Sequence, residues 1–329
     1  MNYKTALSAF TLGISSVSFA QDCYTDNTWG LVGEWTMMRR SLLHSERIVK
    51  SDSDTSCTGC DDDDSVLSTG PLVSEFDYEP GFRVGAYYHP SERRSLELLY
   101  LDCGKWHSEK EVNGDDDLSF PFKCCNYTHD FREASEAKAK YNSNFWTAEF
   151  NYWRHVTPRF EDYFSVSWLA GLRYVNLHEK FNVAFLRDAN ESHYRISVEN
   201  YMPGIQLGGN VQFNPQRSWS WDLTAKIGVL VDIAEQKTYL GDYNDSVTLR
   251  NHEGEKTGAT FLAEVAAALA YQFNTHFNIH GGYQMLYLSG IALAPEQISK
   301  RTGPHSGSAC NLDGQAIVHG WFLGLSFGF

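Results

Sequence analysis

The final stretch of the chain, Trp321-Phe-Leu-Gly-Leu-Ser-Phe-Gly-Phe329, decides the fold class. Its positions 321, 323, 325, 327 and 329 are Trp, Leu, Leu, Phe and Phe, and Phe, Gly, Ser and Gly lie between them. Because successive side chains of a β-strand point to opposite faces, this segment is a strand with one strongly apolar face. Such a strand suits a sheet that meets lipid outside and encloses a filled lumen. The alternative, the last strand of a soluble sandwich, seldom exposes so many large apolar residues in a row.

The beginning of the chain indicates export. A short basic start that ends at Lys4 precedes an apolar, small-residue-rich segment from Thr5 to Phe19, and Ser18-Phe-Ala20 has the small-x-small pattern of a cleavage site. We therefore expect residues 1–20 to be a signal peptide that is removed on export. Residues 21–329 then form one outer-membrane β-barrel domain.

Composition narrows the class further. No later segment offers the ~18 uncharged apolar residues that a membrane-spanning helix needs. Aromatic residues make up 14% of the chain, which suits interfacial girdles at the ends of barrel strands, with Trp35, Tyr100 and Trp219 as examples. The formal net charge of -14 argues against nucleic acid as a partner.

Ten runs of alternating residues bounded by turn signals predict ten strands. Four of the connections between them are short, and the other five are long and polar. An even strand number with both termini on the short-turn side is typical of an outer-membrane barrel, which has short periplasmic turns and long outside loops. A hairpin hidden in one of the longest loops would raise the count to twelve. The sequence thus predicts an all-β, transmembrane, antiparallel up-and-down β-barrel of about ten strands, at residues 29–40, 81–88, 95–106, 144–155, 163–179, 199–213, 218–237, 260–273, 276–288 and 316–329.

Several short motifs, among them Leu169-Ala-Gly-Leu-Arg-Tyr174 and Gly282-Tyr-Gln-Met-Leu-Tyr-Leu288, have counterparts in known barrels. They resemble one known family, the outer-membrane β-barrel proteins of planctomycetes and relatives of the chlamydiae, which are described as pore-forming or major-outer-membrane-protein-like. The resemblance covers most of residues 76–107, 144–233 and 276–329. It implies a surface barrel with a loosely assigned pore role, and it implies no catalytic residues. The motifs are Phe76-Asp-Tyr-Glu-Pro-Gly-Phe-Arg-Val-Gly85, Leu96-Glu-Leu-Leu-Tyr100, Ala148-Glu-Phe-Asn-Tyr152, Leu169-Ala-Gly-Leu-Arg-Tyr174, Gln206-Leu-Gly-Gly209 and Gly282-Tyr-Gln-Met-Leu-Tyr-Leu288.

Ten charged residues of both signs fall on the predicted inward faces of the strands. They could line an aqueous path and set ion selectivity. They could equally pair with one another and plug the lumen, because a barrel of about eight strands is just filled by its own side chains. The mixed signs favour pairing, since an unpaired charge inside a barrel is costly. These lumen charges are Glu34, Arg40, Arg83, Glu97, Glu149, Arg173, Asp222, Lys226, Asp232 and Glu264.

Six of the seven cysteines lie on or beside three of the predicted outside loops, and Cys23 lies near the mature N-terminus. Because an exported chain meets an oxidising compartment, we expect disulfides that tie the outside loops together. The sequence cannot choose among the pairings, and Cys23, which is the odd one, could cross-link to a neighbouring molecule. The Cys57-Thr-Gly-Cys60 spacing has no second cysteine pair to complete a zinc site, so we expect no metal. The disulfide candidates are Cys57, Cys60, Cys103, Cys124, Cys125 and Cys310.

These patterns favour a porin-like or structural surface barrel with disulfide-linked outside loops that passes small hydrophilic solutes if it conducts. The alternative is a closed barrel that acts as an adhesin or envelope scaffold through its loops. We expect no enzymatic activity and no cofactor, because no catalytic motif is present. The expected partners are outer-membrane lipids, lipopolysaccharide and the barrel assembly machinery, which reads the C-terminal strand; homo-oligomers are a further option.

Overall fold

A closed antiparallel barrel accounts for almost every described residue of the protein. The computed structural model describes residues 28–42, 45–51, 65–91, 93–122, 131–156, 163–213, 218–242, 244–274, 276–299 and 307–329. The signal peptide predicted at residues 1–20 therefore lies outside the described residues. Among those that are described, no helix is both long and apolar enough to span a membrane.

One sheet contains all the strands of the described ranges, and short helical segments lie between them. The helical segments are α1 (Thr69–Ser74) and a 3₁₀ turn (Ala294–Gln297). The strands are β1 (Thr28–Leu42), β2 (Arg47–Ser51), β3 (Ser65–Ser68), β4 (Glu79–Ser91), β5 (Arg94–Ser119), β6 (Ala134–Val156), β7 (Phe164–Arg187), β8 (Asn190–Phe213), β9 (Trp219–Asp242), β10 (Val247–Asn274), β11 (Phe277–Ile291) and β12 (Gly314–Gly328).

The sheet has twelve strands in the described part of the chain, so the prediction of about ten is wrong for the sheet as a whole. The first long loop holds a hairpin, β2–β3, whose strand β2 pairs with the end of β5. The other ten strands close on themselves, because β12 pairs with β1, β1 with β4, and β5 with β6. The antiparallel, up-and-down architecture agrees with the prediction.

Strand length divides the barrel into a low side and a tall side. Strands β11, β12, β1 and β4 contain 13 to 15 residues, whereas β5 to β10 contain 23 to 28. A transmembrane strand needs only about 9–11 residues. Strands β5 to β10 therefore rise well beyond the membrane as a six-stranded sheet, which we call the tall sheet.

Two of the predicted long outside loops do not exist. Strands β7 and β8 stay paired up to Arg187 and Asn190, so a two-residue turn joins them, and Asp188 adopts a positive φ of 54° there. Strands β9 and β10 likewise stay paired up to Asp242 and Val247. The residues that we expected in loops are instead the outer halves of these four strands.

The polarity of the outward and inward faces inverts where the strands leave the membrane. Low on β8, apolar Ile205 (63% exposed) faces outward and polar Gln206 (2% exposed) faces inward. Higher on the same strand, polar Arg195 is exposed and apolar Ile196 is buried. The lower half thus has the pattern of a lipid-facing barrel and the upper half that of a soluble sheet around an apolar core.

Aromatic rings mark the two edges of the lipid-facing band. On the outer side, Tyr100 contacts Trp146 at 5.7 Å between ring centroids, and Trp146 contacts Tyr174 at 5.2 Å. On the short-turn side, Trp219 contacts Tyr271 at 4.6 Å. Such belts sit at membrane–water interfaces, where one end of the ring is apolar and the other meets water.

Candidate functional site

The middle of the lumen is crossed by a layer of ion pairs. Six charged side chains form this layer, and each comes from a different strand: Glu34 from β1, Arg83 from β4, Glu149 from β6, Arg173 from β7, Lys226 from β9 and Glu264 from β10. All six are nearly inaccessible to solvent. The alternation of the strands explains their position, since each lies between two outward-facing residues on its strand.

Several of these pairs reach across the barrel rather than along its wall. Lys226 Nζ lies 2.8 Å from a carboxylate oxygen of Glu149, and these residues stand three strands apart. Arg173 Nη1 lies 2.6 Å from Glu264, again three strands away, and 3.4 Å from Glu149. Arg83 pairs with Glu34 at 2.7 Å. The charged groups therefore meet near the axis and fill it.

Neutral polar side chains complete the layer. Gln206 Nε2 donates to Glu149 at 2.7 Å, and Asn151 Nδ2 donates to the same oxygen at 3.0 Å. Arg83 also donates to Gln284 and lies over the ring of Phe322, with 5.6 Å between guanidinium carbon and ring centroid. The three carboxylates and three cations balance formally, which is the condition under which buried charges are tolerated.

A second polar layer lies above the first, towards the outside. Arg40 Nη2 lies 2.5 Å from Glu179, and both side chains have no exposed area. Tyr141 connects them, because it accepts from Arg40 at 2.9 Å and donates to Glu179 at 2.8 Å. The backbone N–H of Ala294 also donates to Glu179, at 2.8 Å. This last bond attaches the 3₁₀ turn to the wall of the lumen.

The segment around the 3₁₀ turn enters the outer mouth of the barrel, and we call residues 292–299 the plug. Asn200 holds the backbone of Ala292 by two hydrogen bonds of 2.9 Å, one to its carbonyl and one from its N–H. The hydroxyl of Tyr194 accepts from the N–H of Ser299 at 2.9 Å and from Arg250 at 3.1 Å. The plug is therefore fixed to β7 and β8 of the tall sheet.

An apolar core surrounds the plug. Leu293 of the plug is 1% exposed and belongs to the same buried cluster as residues from most strands. Trp106 is fully buried in it and donates its indole N–H to the carbonyl of Met38 at 2.9 Å. Phe120 packs against Tyr194 with 5.3 Å between ring centroids. Above the ion pairs, the lumen thus has the interior of a soluble domain rather than an aqueous channel.

Comparison with known proteins agrees with this architecture. The family model described as "Putative beta barrel porin-7 (BBP7)" matches residues 132–311, which is more than half of the chain. The chain belongs to this family. It is accordingly a porin-like β-barrel of the bacterial outer membrane. No curated protein matches the chain.

Solved structures that resemble this barrel of the porin-7 family include several outer-membrane proteins. The outer membrane protease OmpT from Escherichia coli has 10% sequence identity, with 95% of this chain and 99% of that chain covered and a TM-score of 0.43. The toluene transporter TbuX from Ralstonia pickettii has 8% identity, 94% and 90% coverage and a TM-score of 0.35. The translocator domain of the autotransporter NalP from Neisseria meningitidis has 10% identity, 93% and 90% coverage and a TM-score of 0.36.

The structure of this porin-7 family barrel places all ten predicted lumen charges on the inner face, where each is buried. Six form the ion-pair layer, and Arg40 belongs to the layer above it. Glu97 accepts from the indole N–H of Trp153. Asp222 and Asp232 lie on β9, at 1% and 0% exposure.

Sequence reasoning missed the residues that hold the plug. Glu179 lies at the predicted end of a strand, and Tyr194 and Asn200 lie in or beside a predicted loop. The signal that could have found them is the alternation of apolar residues at 181, 183 and 185 with the polar residues Lys180 and Asn182. That run continues β7 beyond Glu179 with the apolar face turned inward.

The structure describes two of the candidate cysteines and does not confirm the predicted disulfides for them. Cys103 and Cys310 are free thiols. Cys103 points into the apolar core with no exposed area, and Cys310 is 4% exposed in the connection between β11 and β12. Burial raises the pKa of the Cys310 thiol to about 11. Cys23, Cys57, Cys60, Cys124 and Cys125 lie outside the described residues.

No cluster of three or more potential metal ligands occurs within the described ranges. His107, at the outer rim, contacts Asn142 at 2.7 Å and lies 3.8 Å from Glu109. An Asp–His pair at the rim would be needed for a protease. His129, Asp130 and His305 lie outside the described residues.

Proposed function

We propose that this protein is a closed outer-membrane barrel that displays the tall sheet at the cell surface as an adhesin or envelope scaffold. The observation that carries the proposal is the ion-pair layer that crosses the lumen, because Lys226 and Arg173 reach carboxylates three strands away. A narrow barrel closes in this way when its own side chains meet at the axis. The plug and its apolar core add a second barrier above the layer.

Passage of small hydrophilic solutes is the second candidate. The description of the family as a beta barrel porin favours it. Solutes would need two displacements, one of the plug from the outer mouth and one of the Glu149 and Glu264 ion pairs from the axis. We propose further that the protein has no catalytic activity, and that it is related to the barrels of planctomycetes and relatives of the chlamydiae that its motifs resemble.

Single-channel conductance in a planar bilayer tests the proposal. We expect a silent membrane from refolded mature protein whose insertion is verified by protection of its strands from protease. A matched variant should conduct: Glu149→Ser, Arg173→Ser, Lys226→Ser and Glu264→Ser together remove two charges of each sign, and Glu179→Ala with Asn200→Ala release the plug. Reproducible steps from the wild type, with an ion selectivity that changes in Lys226→Gln, would show that the barrel is a pore.

A second measurement addresses the tall sheet. Strands β7 and β8 can be shortened by replacing residues 180–197 with a two-residue turn, which leaves their lower halves intact. If the tall sheet is the functional surface, cells that carry the shortened protein should lose attachment or envelope integrity while barrel insertion stays normal. Normal attachment and normal detergent resistance in those cells would contradict a role for the tall sheet.

A further inference from the structure

The outward face of the low side carries an arginine without an acidic partner. Arg39 of β1 is the cross-strand neighbour of His319 of β12. Its Nη2 donates to the backbone carbonyl of Ser74 at 2.8 Å, and its Nε has no hydrogen-bond partner. Within the described ranges no carboxylate forms an ion pair with Arg39. This contrasts with Arg40, the next residue along the strand, which faces inward and pairs with Glu179.

Phenol and imidazole groups surround this guanidinium. The hydroxyl of Tyr283 lies 2.5 Å from Nδ1 of His319. Tyr78 places its ring edge-on to His319, at 6.0 Å between centroids, and hydrogen-bonds Tyr283. The cluster therefore combines one permanent cation with several hydrogen-bonding groups, and it contains no carboxylate that would repel an anion.

The position of the cluster relative to the lipid-facing band indicates which class of ligand it can meet. Trp321, which is 60% exposed, lies two residues below His319 on the outward face of β12 and contacts Tyr283 at 4.7 Å between ring centroids. Two residues of a strand span about 7 Å. The cluster thus lies just outside the apolar band, at the level where lipid headgroups meet the barrel.

We propose that Arg39, His319, Tyr283 and Tyr78 form a binding site for the phosphate of an outer-leaflet lipid. A guanidinium binds phosphate through parallel N–H donors, and Arg39 supplies the guanidinium of this site. The acyl chains of the lipid would lie along the apolar surface below, beside Trp321. The site is independent of whether the lumen conducts, because all four side chains face away from it.

Retention of a phosphorylated lipid tests this site. The full mature protein is refolded into phosphatidylcholine vesicles that contain a minor fraction of lipid A, and affinity for lipid A is measured by native mass spectrometry. We expect Arg39→Gln to weaken retention about tenfold, which corresponds to about 1.4 kcal/mol. Arg39→Lys keeps the positive charge but lacks the two parallel N–H donors, so its affinity for lipid A should lie between those of the wild type and Arg39→Gln. Arg195→Gln is the matched control, since it removes an exposed arginine on the tall sheet, away from the membrane.

Three outcomes would overturn the proposal. The first is equal retention of lipid A by the wild type and Arg39→Gln. The second is an equal loss in Arg195→Gln, which would indicate attraction by overall charge. The third is displacement of lipid A by inorganic phosphate alone, which would indicate a site for soluble anions. If Arg39→Gln fails to fold, His319→Gln serves in its place, and unchanged retention in that variant counts against the site.

Discussion

Neutralising Glu149 tests whether the lumen is dry. The carboxylate of Glu149 is 2.8 Å from Lys226 Nζ and 3.4 Å from Arg173 Nη1, and the residue is 7% exposed. At 2.8 Å a pair of unit charges attracts by about 6 kcal/mol at an effective dielectric constant of about 20, but by only about 1.5 kcal/mol in water. Glu149→Gln keeps the shape of the side chain and leaves the layer with one excess positive charge. Removing one partner of a buried pair costs about 3–5 kcal/mol.

The free energy of unfolding in urea, followed by tryptophan fluorescence of the protein in lipid vesicles, measures this cost. We expect Glu149→Gln to lower it by about 3–5 kcal/mol. The double variant Glu149→Gln/Lys226→Met restores the charge balance and should recover most of the loss, because a pair that is removed together leaves no uncompensated charge. A loss below about 1 kcal/mol in the single variant would refute the reasoning, since only water in the lumen could screen the remaining cations so well.

Three further predictions concern the lipid face, the thiol and the plug. Ile227→Arg places a charge on the lipid face and should cost about 2–4 kcal/mol of folding free energy in vesicles. The control Asn251→Arg, on the exposed upper half of β10, should fold normally. Equal folding of both variants would mean that the faces of β9 are misassigned. With the cysteines other than Cys103 and Cys310 replaced by Ser, Cys310 should react with a maleimide at pH 8 far more slowly in the native protein than in the unfolded one. The reason is that its pKa is raised to about 11, so that little thiolate is present, and the native rate should rise with pH. Fast labelling of the native protein at pH 8 would contradict the burial of Cys310. Asn200→Ala leaves the N–H and C=O of Ala292 unpaired, so the protein should lose about 1–3 kcal/mol of unfolding free energy and the amide of Ala292 should exchange faster with solvent; unchanged exchange would show that Asn200 does not hold the plug.

Alternation in the sequence was enough to predict the barrel, its faces in the membrane and the inward position of the charges. It could not show which charges meet, because Lys226 and Glu149 are 77 residues apart in the chain and their contact depends on closure of the ring. The alternation also underestimated the length of the strands. A search for an outward apolar face fails above the membrane, because apolar Phe181 faces inward there and charged Lys180 faces outward. The predicted strands are therefore too short, because the pattern that predicts them assumes lipid on the outer face of the sheet.

The difference between the low and tall sides bears on whether the barrel opens. Beyond the membrane, the wall is formed only by the tall sheet, and β2, β3, α1 and the plug occupy the side that the short strands leave open. Residues of these segments, such as Ile48, Leu72 and Leu293, belong to one buried apolar cluster with the tall sheet. Exposing one such side chain to water costs about 1.5–3 kcal/mol. Release of the plug would therefore expose a folded core instead of moving a loosely attached loop, which supports a barrel that is closed at rest.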